Sequence, residues 1–381
     1  MNRRLSVFVL PAAALLWLLP QRTSALPTMV RLGYPNCAAC HISPQGSGLL
    51  NLYGRSIDQA QSLMGGEYQP SQAPWSLWVN WNGRITQDLR TIVQQQDVST
   101  DGKPGAQLFR SRFMYRNATA LGRGFRVTAT VTGENTSVLR PALAYDPPAN
   151  AYRVFVNTAL LSYHASNKLE LAAGRDQLPT GINITDLGTF IRGRNHLGYY
   201  DAPTQAKAYW SGKRHLVTPY VYGPGGNERT GQHESGGGLL AEFDVLGQRR
   251  TIAGVNLLRG TSTREERRLF GPYARLGFGR WGILAEHDIV DRTVANVVFR
   301  QQSSYGQLFW AVREWLAPSL IVERLYVNKP YLERLNAAKI ELAARLTPQI
   351  SVSAGPRIQR DENTGRIQKS VVFQVTVKTV H

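Results

Sequence analysis

From about Trp75 to the C-terminus apolar residues recur at every second position, and that period sets what the chain can become. Between 335 and 346, Asn336, Ala338, Ile340, Leu342, Ala344 and Leu346 share one face, while Lys339, Glu341 and Arg345 share the other. Val371, Phe373, Val375 and Val377 alternate with Gln374, Thr376 and Lys378, and Phe125, Val127, Ala129 and Val131 with Arg126, Thr128, Thr130 and Thr132. Phe109, Phe113 and Tyr115 are set against Arg110, Arg112 and Arg116. Side chains along a strand point to opposite faces in turn, so each run predicts a strand with one apolar and one polar side. Such runs fall at about 77–94, 107–117, 124–134, 152–164, 168–175, 205–211, 214–222, 236–246, 250–260, 269–278, 281–289, 303–312, 319–327, 335–346, 349–360 and 367–379, sixteen in all.

The connections carry independent information. After even-numbered runs they are mostly tight: Ala165-Ser166-Asn167, Ser211-Gly212-Lys213, Gly247-Gln248-Arg249, Gly279-Arg280 and Thr347-Pro348. After odd-numbered runs they are longer, including 95–106, 135–151, 223–235 and 290–302; 176–204 is the longest, and 361–366 is a short exception. Tight turns at one end and long loops at the other is the plan of an outer-membrane barrel with its turns in the periplasm. The sequence thus predicts an all-β fold over 75–381, a transmembrane antiparallel β-barrel of about 16 strands, with a soluble β-rich domain as the alternative.

In a barrel the outward faces meet lipid, where an arginine at the midplane costs roughly 2 to 4 kcal/mol. Arg84, Arg90, Arg110, Arg112, Arg116 and Arg126 are therefore expected in the lumen, either as a wet basic lining or as ion pairs with Asp88, Glu134 and Glu341. Trp75, Trp78, Trp81, Tyr199, Tyr200, Trp210, Tyr220, Tyr222, Trp281, Trp310 and Trp315 fall near run ends, as girdles at the two interfaces require.

The N-terminus reads as an export signal at 1–25. Asn2-Arg3-Arg4 is a basic start, Leu5 to Leu19 an apolar stretch too short to span a bilayer, and Thr23-Ser24-Ala25 a small-residue cleavage site. Its removal takes Arg3, Arg4 and Arg22 and leaves 41 basic against 26 acidic side chains, +15. A basic exported chain fits anionic lipid, nucleic acid or acidic solutes, so charge alone names no partner.

Between signal and barrel lies a short segment, 26–74, holding both cysteines of the chain in Cys37-Ala38-Ala39-Cys40-His41. A C-x-x-C-H run in an exported protein points to one covalently attached haem c, with both thiols in thioethers and the histidine as proximal iron ligand. A redox dithiol lacks its βαβ setting here, and a structural zinc lacks further ligands before His164. Leu49 to Leu63 has the spacing of one amphipathic helix, with Leu49, Leu52, Tyr53, Ile57, Ala60 and Leu63 on its apolar face and Gly54 as a weak point. So short a segment buries little on its own, which predicts a plug or cap docked on the barrel. Met64 is the candidate distal haem ligand, an ordinary apolar contact being the alternative; Met29 and His196 are weaker candidates. The stretch Gly174-Arg175-Asp176-Gln177-Leu178-Pro179-Thr180-Gly181 opens the longest loop, which either folds into the barrel or stays at the surface. No Ser-His-Asp order, metal-ligand cluster or phosphate-binding glycine loop is present.

A signal, a single C-A-A-C-H and then about sixteen strands resemble the fused monohaem cytochrome-porins of the outer membrane, the group that includes outer-membrane iron oxidases of iron-oxidising bacteria. The resemblance covers the whole mature chain, and its one sharp motif is Cys37-Ala38-Ala39-Cys40-His41. It implies electron transfer, single electrons passing through one haem c between an extracellular donor or acceptor, ferrous iron among the donors, and a periplasmic cytochrome or other electron carrier. Outer-membrane lipid would then be a partner and nucleic acid not, and any enzymatic role would be that of an extracellular iron oxidase. The rival expectation is an anion-permeable porin whose haem segment is a gate, sensor or plug.

Overall fold

The computed structural model describes residues 27–34, 37–45, 48–65, 84–135, 152–184, 189–198, 201–224, 233–247, 250–328 and 332–378. The expected signal peptide, the join between haem segment and barrel, Trp75, Trp78, Trp81, Tyr199 and Tyr200 lie outside these residues.

Sixteen strands follow one another around a closed barrel. They are β1 (Ile85–Thr100), β2 (Lys103–Gly122), β3 (Phe125–Asn135), β4 (Tyr152–Ser166), β5 (Leu169–Arg175), β6 (Thr204–Ser211), β7 (His215–Gly223) and β8 (Ser235–Asp244). The second half is β9 (Thr251–Thr261), β10 (Glu265–Phe278), β11 (Trp281–Val294), β12 (Val297–Trp310), β13 (Leu316–Val327), β14 (Glu333–Arg345), β15 (Ile350–Asp361) and β16 (Ile367–Lys378). Each is antiparallel to the next, and β1 pairs with β16 from Arg90↔Lys378 to Thr100↔Gln368, which leaves no open edge.

The alternation decides which way each side chain points. Phe109, Phe113, Tyr115, Ile340, Leu342, Val371 and Phe373 are exposed on the outer wall, while Arg112 and Arg116 between them are buried inside. A continuous apolar outer wall around a basic interior is the arrangement a bilayer stabilises. No described helix is long and apolar enough to cross a membrane.

Two of the expected long loops are tight hairpins. β1 and β2 run on to a turn at Asp101-Gly102 (φ 50° and 79°), and β11 and β12 to one at Ala295-Asn296 (φ 47° and 66°). Positive φ at both central residues matches the twist of the flanking strands, and Asp-Gly favours it. The strand ends here escape a period-two reading because Gln94-Gln95-Gln96-Asp97 is polar on both faces, as it is free to be where a strand rises beyond the lipid. Three connections at that end remain long, 136–151, 176–203 and 224–234, whereas every turn at the other end is short.

The aromatic girdle is partly different from expectation. Trp210, Trp281 and Trp310 are exposed on the outer wall at the tight-turn end, with Trp281 and Trp310 stacked at 5.4 Å. Tyr220 and Tyr222 point inward instead and are buried against Leu178 and Leu197 of the long loop 176–203.

Candidate functional site

Two insertions fill part of the lumen and leave a cavity along the remainder of the wall. The first is the loop 176–203, which turns inward and carries a π-helical turn, Phe190–Arg194. Its Ile182 and Ile191 pack on Leu240, Leu284, Phe309 and Ile321 of the wall, and Phe190 on Leu325 and Val327. Its polar groups meet carboxylates on the same wall. Arg192 Nη2 donates to Glu286 Oε2 at 3.0 Å with both side chains fully buried, and the Ile182 N–H donates to that carboxylate at 2.8 Å. Asn195 Nδ2 donates to Asp288 at 2.7 Å and to Ser303 at 2.9 Å, and Arg267 Nη1 donates to the Asn195 carbonyl at 2.7 Å. His196 lies next in this loop, in a left-handed backbone conformation (φ 55°), 3.9 Å from Asp201.

The second insertion is the N-terminal segment, lodged in the tight-turn mouth. Arg31 Nη1 donates to the Gly279 carbonyl at 3.3 Å, and Arg126 Nη1 to the Ile42 carbonyl at 3.2 Å. Gln45 reaches both the inward loop and the wall. Its amide donates to the carbonyls of Gln177 and Leu178 at 3.1 and 3.0 Å, its side-chain oxygen accepts from Lys207 Nζ at 2.9 Å, and its backbone carbonyl accepts from Asn183 at 3.2 Å. One side chain thus joins the N-terminal segment, the inward loop and β6; a lone glutamine gives no sequence signal of this.

The cysteine motif forms a single helical turn. The Cys40 and His41 N–H groups donate to the Cys37 carbonyl at 3.2 and 2.9 Å, so both thiols and the imidazole project from one turn. Asn51 clamps it: its Nδ2 donates to the Ala38 and Ala39 carbonyls at 3.2 and 3.1 Å, and its N–H to the Cys40 carbonyl at 2.9 Å. The same residue caps helix α1 (Leu52–Ala60), its side-chain oxygen accepting from the Gly54 N–H at 2.8 Å. Gly54 is required where it stands, since a Cβ there would overlap the Cys40 carbonyl. Burial pushes both thiols above their ordinary range, with the Arg275 guanidinium partly offsetting this at Cys37.

Helix α1 lies the other way round from an ordinary amphipathic helix. It turns Gly54 and Asp58 inward, followed by Gln61 and Ser62, and Asp58 pairs with Arg345 at 2.8 Å and with Lys378. Leu52 (65 % exposed), Tyr53 and Leu63 face outward, with Ala38 of the motif also exposed. An uncovered apolar face lies beside the C-x-x-C-H turn, while Cys40 is buried and the Cys37 thiol meets the Arg275 guanidinium of the wall; two thiols and an imidazole on one turn are the donor set that would hold a haem c. Met64 follows the helix; its N–H donates to the Leu346 carbonyl at 3.0 Å and its side chain is 73 % exposed.

The open part is lined by β1, β2 and β14 to β16, with the inward loop as its far wall. A cavity of about 910 Å³ runs there from Thr100, Asp361 and Arg366 at the loop end to Thr347, Pro348 and Lys378 at the tight-turn end. Its lining includes ten basic side chains, among them Arg90, Arg110, Arg112, Arg116 and Arg357, against five carboxylates, Asp176, Glu323, Glu333, Glu341 and Asp361. The expected arginines are thus inside, and several are paired: Arg110 and Arg112 with Glu134 at 2.9 Å, and Arg116 with Asp88. None of Cys37, Cys40, His41 and Met64 lines this passage.

No protein-family model and no curated protein sequence matches the chain. Solved structures do. OmpT of Vibrio cholerae with loop L8 deleted is similar with a TM-score of 0.55 at 11 % identity, covering 78 % of this chain and all of that one. An anion-selective porin from Comamonas acidovorans matches with 0.55 at 11 %, over 77 % of this chain and all of that one. OprB of Pseudomonas putida matches with 0.58 at 10 %, over 78 % of this chain and 94 % of that one. At such identities the likeness is one of fold: this chain is a closed sixteen-stranded antiparallel barrel of the kind seen in outer-membrane porins.

Proposed function

We propose that this chain is an outer-membrane channel whose passage favours small anions, and that its N-terminal segment carries one haem c in the periplasmic mouth. The observation that carries the channel reading is the cavity along the barrel, whose lining holds ten basic side chains against five carboxylates and keeps an excess of cations after its ion pairs with Glu134, Asp88, Asp58 and Asp101 are counted. Between low-dielectric walls such an excess raises the local concentration of anions and repels cations. The fold likeness to a porin described as anion-selective agrees with it. Reconstituted in a planar bilayer under a KCl gradient, the protein should give a reversal potential of the chloride-favouring sign.

The second reading is electron transfer, and the outward apolar face of α1 beside the motif favours it. Cys37 and Cys40 would hold the haem and His41 would ligate its iron, with Met64 as the candidate second ligand. The haem supplies a one-electron couple. Its protein setting supplies the rest: Asn51 and Gly54 fix the turn, and the barrel holds it at the end where a periplasmic cytochrome or other carrier can dock. The outer partner would be an extracellular donor or acceptor, ferrous iron included, which makes an iron-oxidase activity part of this reading. In liposomes, an impermeant reductant added on the loop side should reduce the haem; a haem that stays oxidised while anions leak freely removes this reading and leaves the channel.

A further inference from the structure

Most cations along the passage are paired with a carboxylate, some of them sharing one. Arg110 and Arg112 share Glu134, Arg357 pairs with Glu323 at 3.2 Å, Arg194 with Glu333, Lys339 with Glu341, and Arg366 with Asp101 at 3.8 Å. Arg90 differs. It lines the passage, its Nε is buried without a partner, and it makes no side-chain hydrogen bond or ion pair with any described residue.

Its neighbours are cations. Lys378 faces it in register across β1 and β16, and Arg116 and Arg345 lie close enough to act on its charge. Two carboxylates reach this group: Asp88, bound to Arg116, and Asp58 of α1, shared by Arg345 and Lys378. Four cations against two carboxylates leave two positive charges at the tight-turn end, with the Thr376 side chain also in the lining.

We infer that Arg90, Arg116, Arg345 and Lys378 form a subsite for a small dianionic oxyanion of the phosphate or sulfate class. This deepens, and rests on, the channel reading above. A partly desolvated guanidinium without a counter-ion is unfavourable, and its forked donors match two oxygens of one tetrahedral oxyanion. A dianion balances the local excess where chloride would leave half of it. The same chemistry has a second source, the two propionates of a tethered haem, because Asp58 is one helical turn from Gly54, which touches Cys40.

The test is calorimetric binding of inorganic phosphate to the purified full-length protein, with block of chloride current by phosphate in planar bilayers. Phosphate should bind at one site and block, and Arg90→Gln should weaken binding at least about tenfold. Arg357→Gln, which removes an arginine already paired with Glu323, should weaken it less than about threefold. Arg90→Lys keeps the charge without the fork and should fall between. Heat-modifiable gel mobility verifies that each variant is a folded barrel.

Absence of phosphate binding, or equal losses for Arg90→Gln and Arg357→Gln, overturns the subsite. Chloride conduction without phosphate binding or block overturns the subsite and leaves the channel standing; Arg90-dependent phosphate binding without conduction leaves the subsite and removes the channel. Phosphate binding seen only when Cys37→Ala and Cys40→Ala remove the haem assigns the charge to the propionates and overturns the free-oxyanion proposal.

Discussion

At the scale of single residues, the N-terminal segment depends on two small contacts. Gly54 admits the Cys40 carbonyl against α1, and Asn51 holds both the motif turn and the helix start. Gly54→Ala forces that carbonyl away, an overpacking that costs about 1 to 3 kcal/mol, and should lower the haem absorbance per barrel without changing barrel mobility on gels. The thiols give a pH prediction. Burial raises both, so the folded haem-free segment holds their protons more tightly than the unfolded chain does. Maleimide labelling of haem-free protein at pH 8 should therefore lag that of a free cysteine, and the segment should loosen as pH rises through the ordinary thiol range. The Cys37-Ala38-Ala39-Cys40-His41 motif stands out in the sequence as the one place that holds cysteine. The purpose of Gly54 does not stand out, because it depends on a turn fourteen residues earlier coming to rest on the helix.

At the scale of elements, the inward loop decides how much of the barrel is open. Its length was plain from the sequence, but its direction was not: Arg192 and Asn195 gain their meaning only from Glu286, Asp288 and Ser303 on strands far along the chain. Acidic residues at inward positions of β11 were the available clue. Arg192→Met leaves Glu286 buried beside Asp288 without its cation, which costs about 3 to 5 kcal/mol. The loop should then detach, raising single-channel conductance and exposing residues 189–198 to protease. Helix α1 taught the reverse lesson. Its apolar spacing predicted a face packed on a porphyrin or on a wall; the wall is not the partner of Leu52 and Tyr53, because the cationic lumen draws Asp58 inward and leaves them exposed.

At the scale of the whole molecule, closure of sixteen strands followed from a period of two sustained over Phe109 to Val377, since every run offers lipid one face and the lumen the other. The division of that lumen into a filled and an open part did not follow, because it arises where Gln45, the loop 176–203 and the wall meet. The open part should behave as a charged slot. Its anion preference should be strongest near 0.01 M salt and shrink toward 1 M as screening shortens from about 30 Å to about 3 Å. The central claim is that a passage with excess positive charge runs past the N-terminal segment from one mouth to the other. The direct measurement is the zero-current potential of the reconstituted full-length protein across a tenfold KCl gradient at low salt. A potential set mainly by chloride is the predicted result; one set by potassium, or the absence of any current from correctly folded barrels, would contradict the account.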